Sequence, residues 1–247
     1  MALLEVRNIS VSFDNNKILD NVSLSLNKGE LVSILGASGS GKTTLFNVTA
    51  GLIMPSTGSV IFKDTDITGT SGHFSYMLQK DLLMPYKTIM DNVTLPLIIK
   101  GFSKREAYKH AQDYFKEFGL DGTQSKYPPQ LSGGMRQRAA LLRTYMFSGE
   151  VALLDEPFSA LDTLTKSNMH KWYMNIIEQI NLSTLFITHD IDEAILLSDR
   201  IYILGGAPAA ITHEIVISPS DVRNSRLMLS ENFLNYKKTI INAIGES

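Results

Sequence analysis

From Leu4 onward apolar residues alternate with polar ones: Leu4 and Val6, then Ile9, Val11 and Phe13, then Val22, Leu24 and Leu26. A period of two marks strands with one buried face, so residues 3–35 read as β-structure. The run LVSIL at 31–35 differs in being almost continuously apolar, and it ends in a glycine-rich turn. The segment TTLFNVTAGL that follows has a helical pattern stopped by Gly51, which predicts strand, glycine loop, helix in that order. A short strand over 59–62 follows the turn-prone PSTG.

From about Gln79 to Gln130 the period changes: Ala107, Ala111, Phe115 and Phe118 recur at helical spacing with Lys, Arg and Glu between them, which predicts a mostly helical lobe. Beyond it, RQRAALLRTYMF reads as a helix, VALLD as a buried strand, 162–179 as a helix, STLFITHD as a strand and DEAILLS as a short helix. Strands alternating with helices imply an α/β fold with a mainly parallel sheet covered on both faces. RIYILGG and AAITHEIVI then predict a strand pair. A terminal helix carries Phe233, Lys237, Ile240, Ile241 and Ile244 on one side, a stripe expected to pack on the core. No internal repeat or low-complexity tract interrupts the pattern.

Composition narrows what such a fold can do. A chain of 247 residues suits one large domain or a domain with a lobe. With 23 basic and 25 acidic side chains the net charge is −2, which gives no bulk attraction to a nucleic-acid backbone, so no nucleic-acid partner is expected. The absence of cysteine removes disulfides, thiolate zinc sites and cysteine nucleophiles together, leaving hard-oxygen or histidine metal chemistry. MALLEVRNISVSF is acidic early and alternating, unlike a basic region followed by an apolar stretch, so no secretion signal is expected. The richest apolar run, Leu95 to Ile99, contains Pro96 and falls far short of the roughly 20 residues a membrane span takes. Work at a membrane would require another chain to cross it.

Two segments carry readable chemistry. GASGSGKT, Gly36 to Thr43, matches GxxxxGK[ST] without a mismatch, between a strand and a helix. Glycines at Gly36, Gly39 and Gly41 let the backbone turn its N–H groups toward one point at a helix start, an anion nest reinforced by the helix dipole. Lys42 adds a mobile full charge for terminal phosphates, and the Thr43 hydroxyl is a hard oxygen suited to Mg²⁺. Ser38, Ser40 and Thr44 complete the expected nucleotide contacts. VALLDEP places Asp155 at the end of a hydrophobic strand, where it should hold Mg²⁺ through water. Glu156 points elsewhere and is placed to orient or deprotonate an attacking water. The pattern says nucleoside triphosphate and leaves open what the energy does.

LSGGM, Leu131 to Met135, followed by RQR, resembles the signature of the ATP-binding-cassette (ABC) ATPases. The resemblance spans roughly Leu4 to Ile217, with each motif once and in order. It implies a phosphate-loop NTPase core with a mainly parallel sheet, an N-terminal antiparallel β subdomain and a helical lobe carrying the signature. The corresponding divisions are 1–78, 79–145, 146–217 and a C-terminal helical extension at 218–247. In that family the serine and two glycines here numbered Ser132, Gly133 and Gly134 cap the ATP held by the opposite subunit. Met135 stands where glutamine is usual, so a side-chain amide contact there is lost while the backbone role survives.

By the same resemblance Phe13 lies where an aromatic stacks on adenine, with a strand-core role as the alternative. Gln79 matches the residue that touches Mg²⁺ or the attacking water. Ser159 to Asp162 matches the segment crossing a dimer interface, with Asp162 near nucleotide. His189 matches the histidine that contacts the γ-phosphate and supports Glu156. His73, His110, His170 and His213 keep structural readings, and Asp190 reads as a helix cap rather than a metal ligand. ATP and Mg²⁺ are the implied cofactors.

The implied partners are a second copy of the chain and transmembrane permease subunits that dock on the apolar segment 80–101, whose alternative role is packing within the lobe. An extracytoplasmic substrate-binding protein would act indirectly. LLxPYxTIxDN, SGGMRQR and FSALDTLT are most similar to cassettes of the nitrate, sulfonate, taurine and hydroxymethylpyrimidine importer group, which work peripherally on the cytoplasmic membrane face. An exporter ATPase stays open. A DNA-maintenance ATPase would carry a long coiled-coil insertion, and a phosphate-loop kinase has no use for LSGGM.

Overall fold

A computed structural model describes residues 2–14, 16–148, 150–218 and 227–245. In chain order the elements begin with β1 (Leu4–Phe13), β2 (Asn16–Leu26), β3 (Leu31–Leu35), α1 (Lys42–Thr49), β4 (Thr57–Phe62), β5 (Thr65–Asp66) and β6 (Ser75–Met77). Next come α2 (Ile89–Ile99), α3 (Lys104–Glu117), α4 (Gly133–Phe147), β7 (Val151–Asp155) and α5 (Thr163–Ile180). The chain closes with β8 (Ser183–Thr188), α6 (Ile191–Leu197), β9 (Arg200–Gly205), β10 (Ala210–Val216) and α7 (Glu231–Gly245). Two compact units result, one formed by the chain up to His73 and from Leu182 onward, the other by Phe74–Asn181.

In the first unit an antiparallel sheet has the order β2-β1-β4-β5. Its alternation slips phase, because the buried apolar residues of β1 are Leu4 and Val6 but then Ile9 and Val11. Asn8 causes the slip: it adopts φ 52, and the register with β2 shifts between Val6 and Ile9. Asn21 on β2 mirrors it at φ 50. Each bulge N–H finds a hydroxyl across the pair, Asn8 N donating to Ser23 Oγ at 2.9 Å and Asn21 N to Ser10 Oγ at 3.0 Å. A bulge displaces one residue from the ladder and flips the face that follows.

The same unit holds the strand order β10-β9-β3-β8. β3 runs parallel to both β8 and β9, while β10 returns antiparallel to β9. Every residue of β3 and of β8 is buried, as strands covered on both faces require. Burying one such aliphatic side chain stabilises by roughly 1.5–3 kcal/mol relative to exposure. α7 packs here, as its stripe implies, with Phe233, Ile240 and Ala243 joining Leu35, Ile195, Ile201 and Ile203 in one cluster. The buried face is narrower than expected, since Ile241 and Ile244 are 51% and 39% exposed. At 100° per residue a stripe through Phe233, Ile240 and Ala243 leaves those two on its flank. Residues 219–226 and 246–247 of the extension lie outside the described residues.

In the second unit β6 pairs parallel with β7 beside four helices. α3 buries Ala107, Ala111 and Phe115 and starts with a full capping box between Ser103 and Glu106. Arg138 of α4 stacks 4.7 Å over the Trp172 ring, which Phe118 meets edge-on at 5.6 Å. Among the described residues no helix is long and apolar enough to cross a membrane. The antiparallel β subdomain, the mainly parallel strands and the helical lobe are therefore all present.

Asp91, in the first turn of α2, gives this unit an acid-sensitive tie. Burial opposes its ionisation, but hydrogen bonds from Tyr108, Thr88 and Lys104 outweigh it and draw the carboxyl to about 2, below the ordinary 3.8. Its stabilising contribution is therefore present above about pH 4 and is lost as pH falls through about 2. Asp91→Asn should lower the urea midpoint at pH 7 by the equivalent of about 1 kcal/mol and flatten the loss of stability on acidification. An unchanged midpoint would show the cluster to be inert.

Candidate functional site

In the first unit β3 delivers its chain into the glycine loop under tight steric limits. A Cβ on Gly36 would lie 2.6 Å from the Leu204 carbonyl oxygen and 2.9 Å from Ser40 Oγ, so only glycine passes. Gly39 and Gly41 take φ 81 and 91, the left-handed region that favours glycine. Gly41 is the N-cap of α1 and supplies no side-chain acceptor, and no acidic residue stands in the first turn. The N-caps Thr88, Ser103, Ser132, Asp162 and Asp190 of α2 to α6 all accept a backbone N–H through their side chains. A helix start left without its own side-chain acceptor, next to a cation, is built for an external anion.

Lys42 is only 5% exposed, and its Nζ donates to the carbonyls of Gly36 at 2.9 Å and Ala37 at 2.6 Å, which holds the ammonium over the loop. Ser40 Oγ is buried with no hydrogen-bond partner, a polar atom at the loop's centre that its own chain does not satisfy. Ser38, Gly39 and Thr43 are exposed, and Thr44 is half-buried. The parallel register pairs Leu35 with Thr188, so the glycine loop and His189 leave adjacent strands at the same edge. His189 is exposed there. Its turn is fixed from both sides: Thr188 Oγ1 accepts from Asp190 N at 3.0 Å and donates to the buried Glu193 at 2.6 Å. Asp190 caps α6, accepting from Asp192 N and Glu193 N. Phe13, at the end of β1, is 46% exposed, which takes its ring out of the core.

In the second unit β7 ends at Asp155, which is 7% exposed. Burial, and then the negative charge of Asp155, pushes the Tyr76 hydroxyl above its ordinary pKa. Glu156 follows with φ 46, a left-handed backbone that costs on the order of 1–3 kcal/mol for a residue with a Cβ. Gln79 Nε2 donates to Glu156 Oε2 at 3.2 Å and to Ser159 Oγ at 3.4 Å, and Ser159 Oγ donates to the Glu156 carbonyl at 2.9 Å. Residues 77 apart in sequence thus meet around one carboxylate.

Ser132 caps α4 by accepting from Met135 N at 3.3 Å, which leaves its own O–H proton free to donate. Gly134 has an internal reason to be glycine, since a Cβ would lie 3.1 Å from Thr165. Gly133 has none: a Cβ there meets only Leu161 at an ordinary 3.6 Å. A glycine that its own chain does not require, in an exposed first turn, suits close approach by something else. Asp162 caps α5 through Thr165 N at 3.1 Å, and hydrogen bonds from Thr165 hold its carboxyl below the usual range. His170 is buried against Phe158, a structural histidine as read from sequence.

Thr43, Asp155 and the amide oxygen of Gln79 are hard donors of the kind Mg²⁺ takes, with Gln79 Nε2 already turned toward Glu156 and Ser159. Among the described residues no group of three His, Cys, Asp or Glu could hold a metal. Sequence reading missed Gln137, whose Nε2 donates to the Pro157 carbonyl. It also missed Asn92, fully buried, which donates to the carbonyls of Met84, Lys87 and Thr88 and accepts from Met84 N. Both are buried amides on helices whose buried residues are mainly apolar, and that was the available signal.

The ABC transporter family profile matches residues 19–159. The formylaminopyrimidine import ATP-binding protein ThiZ of Halalkalibacterium halodurans is 43% identical over 218 residues, covering 88% of this chain and 85% of that protein. The nitrate import ATP-binding protein NrtD of Synechocystis is 38% identical over 204 residues, covering 82% of this chain and 77% of that one. Among solved structures, a dimeric bacterial ABC transporter cassette superposes with TM-score 0.73 at 29% identity, over 87% of this chain and 98% of its own.

Proposed function

This chain belongs to the ABC transporter family, and from that premise we propose that it is the subunit that spends ATP to energise uptake of a small solute through a separate permease. The chain is an ATPase of that family, and a post-hydrolysis cassette carrying ADP and phosphate shares its fold with TM-score 0.72. The observation that carries the reading is the meeting of Gln79 and Glu156 around one carboxylate beside the buried Asp155.

The loop residues Gly36, Ser38, Gly39, Ser40, Gly41, Lys42, Thr43 and Thr44 cradle the triphosphate, with Phe13 against the adenine. Thr43, Asp155 and Gln79 would hold Mg²⁺, which when bound offsets charge on the terminal phosphates. Glu156 orients and deprotonates the attacking water, and His189 steadies the γ-phosphate. Hydrolysis needs in-line placement more than covalent help, so these roles are chiefly positional.

Ser132, Gly133, Gly134 and Asp162 serve the nucleotide held by a second copy. Under two-fold symmetry the same patches serve both subunits. ATP then favours the closed pair, and its cleavage releases it.

The chain works peripherally, on the cytoplasmic face of the membrane. Its solute is of the nitrate, sulfonate, taurine or thiamine-precursor type, delivered by an extracytoplasmic binding protein. Leu82, Tyr86 and Ile99, which are 55%, 75% and 74% exposed, form the apolar surface for the permease. Asn92 staples the loop that presents Tyr86.

Reconstituted with its permease in vesicles, the chain is expected to hydrolyse ATP faster when the solute-loaded binding protein is added. Tyr86→Asp should abolish that stimulation and leave hydrolysis by the isolated chain unchanged. Stimulation that survives the substitution would move the docking surface elsewhere, and no stimulation by any loaded binding protein would contradict uptake.

A further inference from the structure

The left-handed turn at Glu156 is held by side chains from outside the strand that leads into it. Ser159 donates to the Glu156 carbonyl through both its N–H at 3.2 Å and its Oγ at 2.9 Å. The next carbonyl, that of Pro157, accepts from Gln137 Nε2. Gln137 lies on α4, just over one turn beyond the Ser132 cap, and is only 5% exposed. Its neighbours on the buried side of the helix are Ala140, Leu141 and Thr144, so an apolar residue would serve packing as well. A buried amide in such a place is retained for its hydrogen bond.

The same helix also grips the segment that carries Gln79. Arg143 donates to the carbonyls of Leu82 at 2.8 Å and Asp81 at 2.5 Å, and Arg136 Nε lies 3.4 Å from the Asp81 carboxylate. α4 therefore fixes both segments whose side chains meet where Gln79 Nε2 donates to Glu156 Oε2. We infer that Gln137 is a positioning residue for hydrolysis: by holding the Pro157 carbonyl it keeps the strained Glu156 backbone, and hence its carboxylate, aimed at the attacking water. Without that donor the Pro157 carbonyl is unsatisfied and the turn can relax toward an ordinary backbone, swinging the carboxylate away. This rests on the reading of Glu156 given above.

The test is Gln137→Met, which keeps length and volume but removes the donor. Turnover should fall by about ten- to a hundred-fold, the scale of a misplacement near 1 Å, while KM and the calorimetric affinity for ATP stay within about two-fold. In the Glu156→Gln background, single-turnover hydrolysis should be no lower with Gln137→Met than without it, because the added substitution acts only through the missing carboxylate. Turnover of Gln137→Met within two-fold of the unsubstituted chain overturns the inference, as does a loss of affinity large enough to explain the fall.

If Gln137→Met does not fold, Ser159→Ala removes the neighbouring hold without opening the core. It should cut turnover at unchanged affinity, and unaltered turnover there counts equally against the inference. Normal hydrolysis by Glu156→Gln alone would instead overturn the underlying reading of Glu156.

Discussion

Glu156→Gln is expected to bind ATP as tightly as the unsubstituted chain, to hydrolyse it slower by about 100-fold or more, and to accumulate as an ATP-dependent dimer. The substitution separates geometry from chemistry. An amide keeps the size of the carboxylate and an oxygen that can still accept from Gln79 Nε2, so that contact survives. What disappears is the negative charge and the capacity to take a proton from water, and a positioned base contributes about 10²–10⁴-fold. Lys42 and the glycine loop are untouched, so affinity should not change. With cleavage stopped, whatever ATP holds together stays together, and the mass in solution should double on adding ATP. Normal turnover would remove Glu156 from the chemistry, and slow turnover without association would separate catalysis from pairing.

Ser132→Arg should abolish hydrolysis when every copy carries it, while each chain still binds ATP. Ser132 is exposed and its Oγ only caps α4, so the folded chain should lose no more than about 1 kcal/mol. Its effect on the chain's own phosphate loop should be nil. An arginine in the first turn, beside Gly133 which no internal contact requires, instead fills the space that a partner's nucleotide would need. Unimpaired hydrolysis would mean that nothing approaches this turn.

Much of this site is legible in sequence because its parts are local strings. The β3, glycine loop and α1 succession, the acid pair closing β7 and the Ser132 and Asp190 caps each depend on residues a few positions apart. Features that depend on distant partners are not legible. The phase slip at Asn8 needs its mirror at Asn21 and hydroxyls from Ser23 and Ser10. The three residues of β6 are too few to show a period, and β6 exists because β7 pairs with it. The meeting of Gln79 with Glu156 and the hold of Gln137 on Pro157 are tertiary contacts that no spacing announces. On α7 the apolar pattern was wider than the face the core accepts, so Ile241 and Ile244 stay exposed.

On the proposed function each ATP is cleaved between two copies, one lending its phosphate loop and the other its signature. Mixing two inactive variants tests it directly. Lys42→Ala spoils the loop and keeps Ser132, whereas Ser132→Arg spoils the signature and keeps Lys42. A mixed pair contains one wholly intact site, so ATPase activity absent from either variant alone should return on mixing and rise with total protein concentration. A mixture that stays as inactive as its components, although both are folded and Ser132→Arg binds ATP, would contradict cleavage at a shared seam.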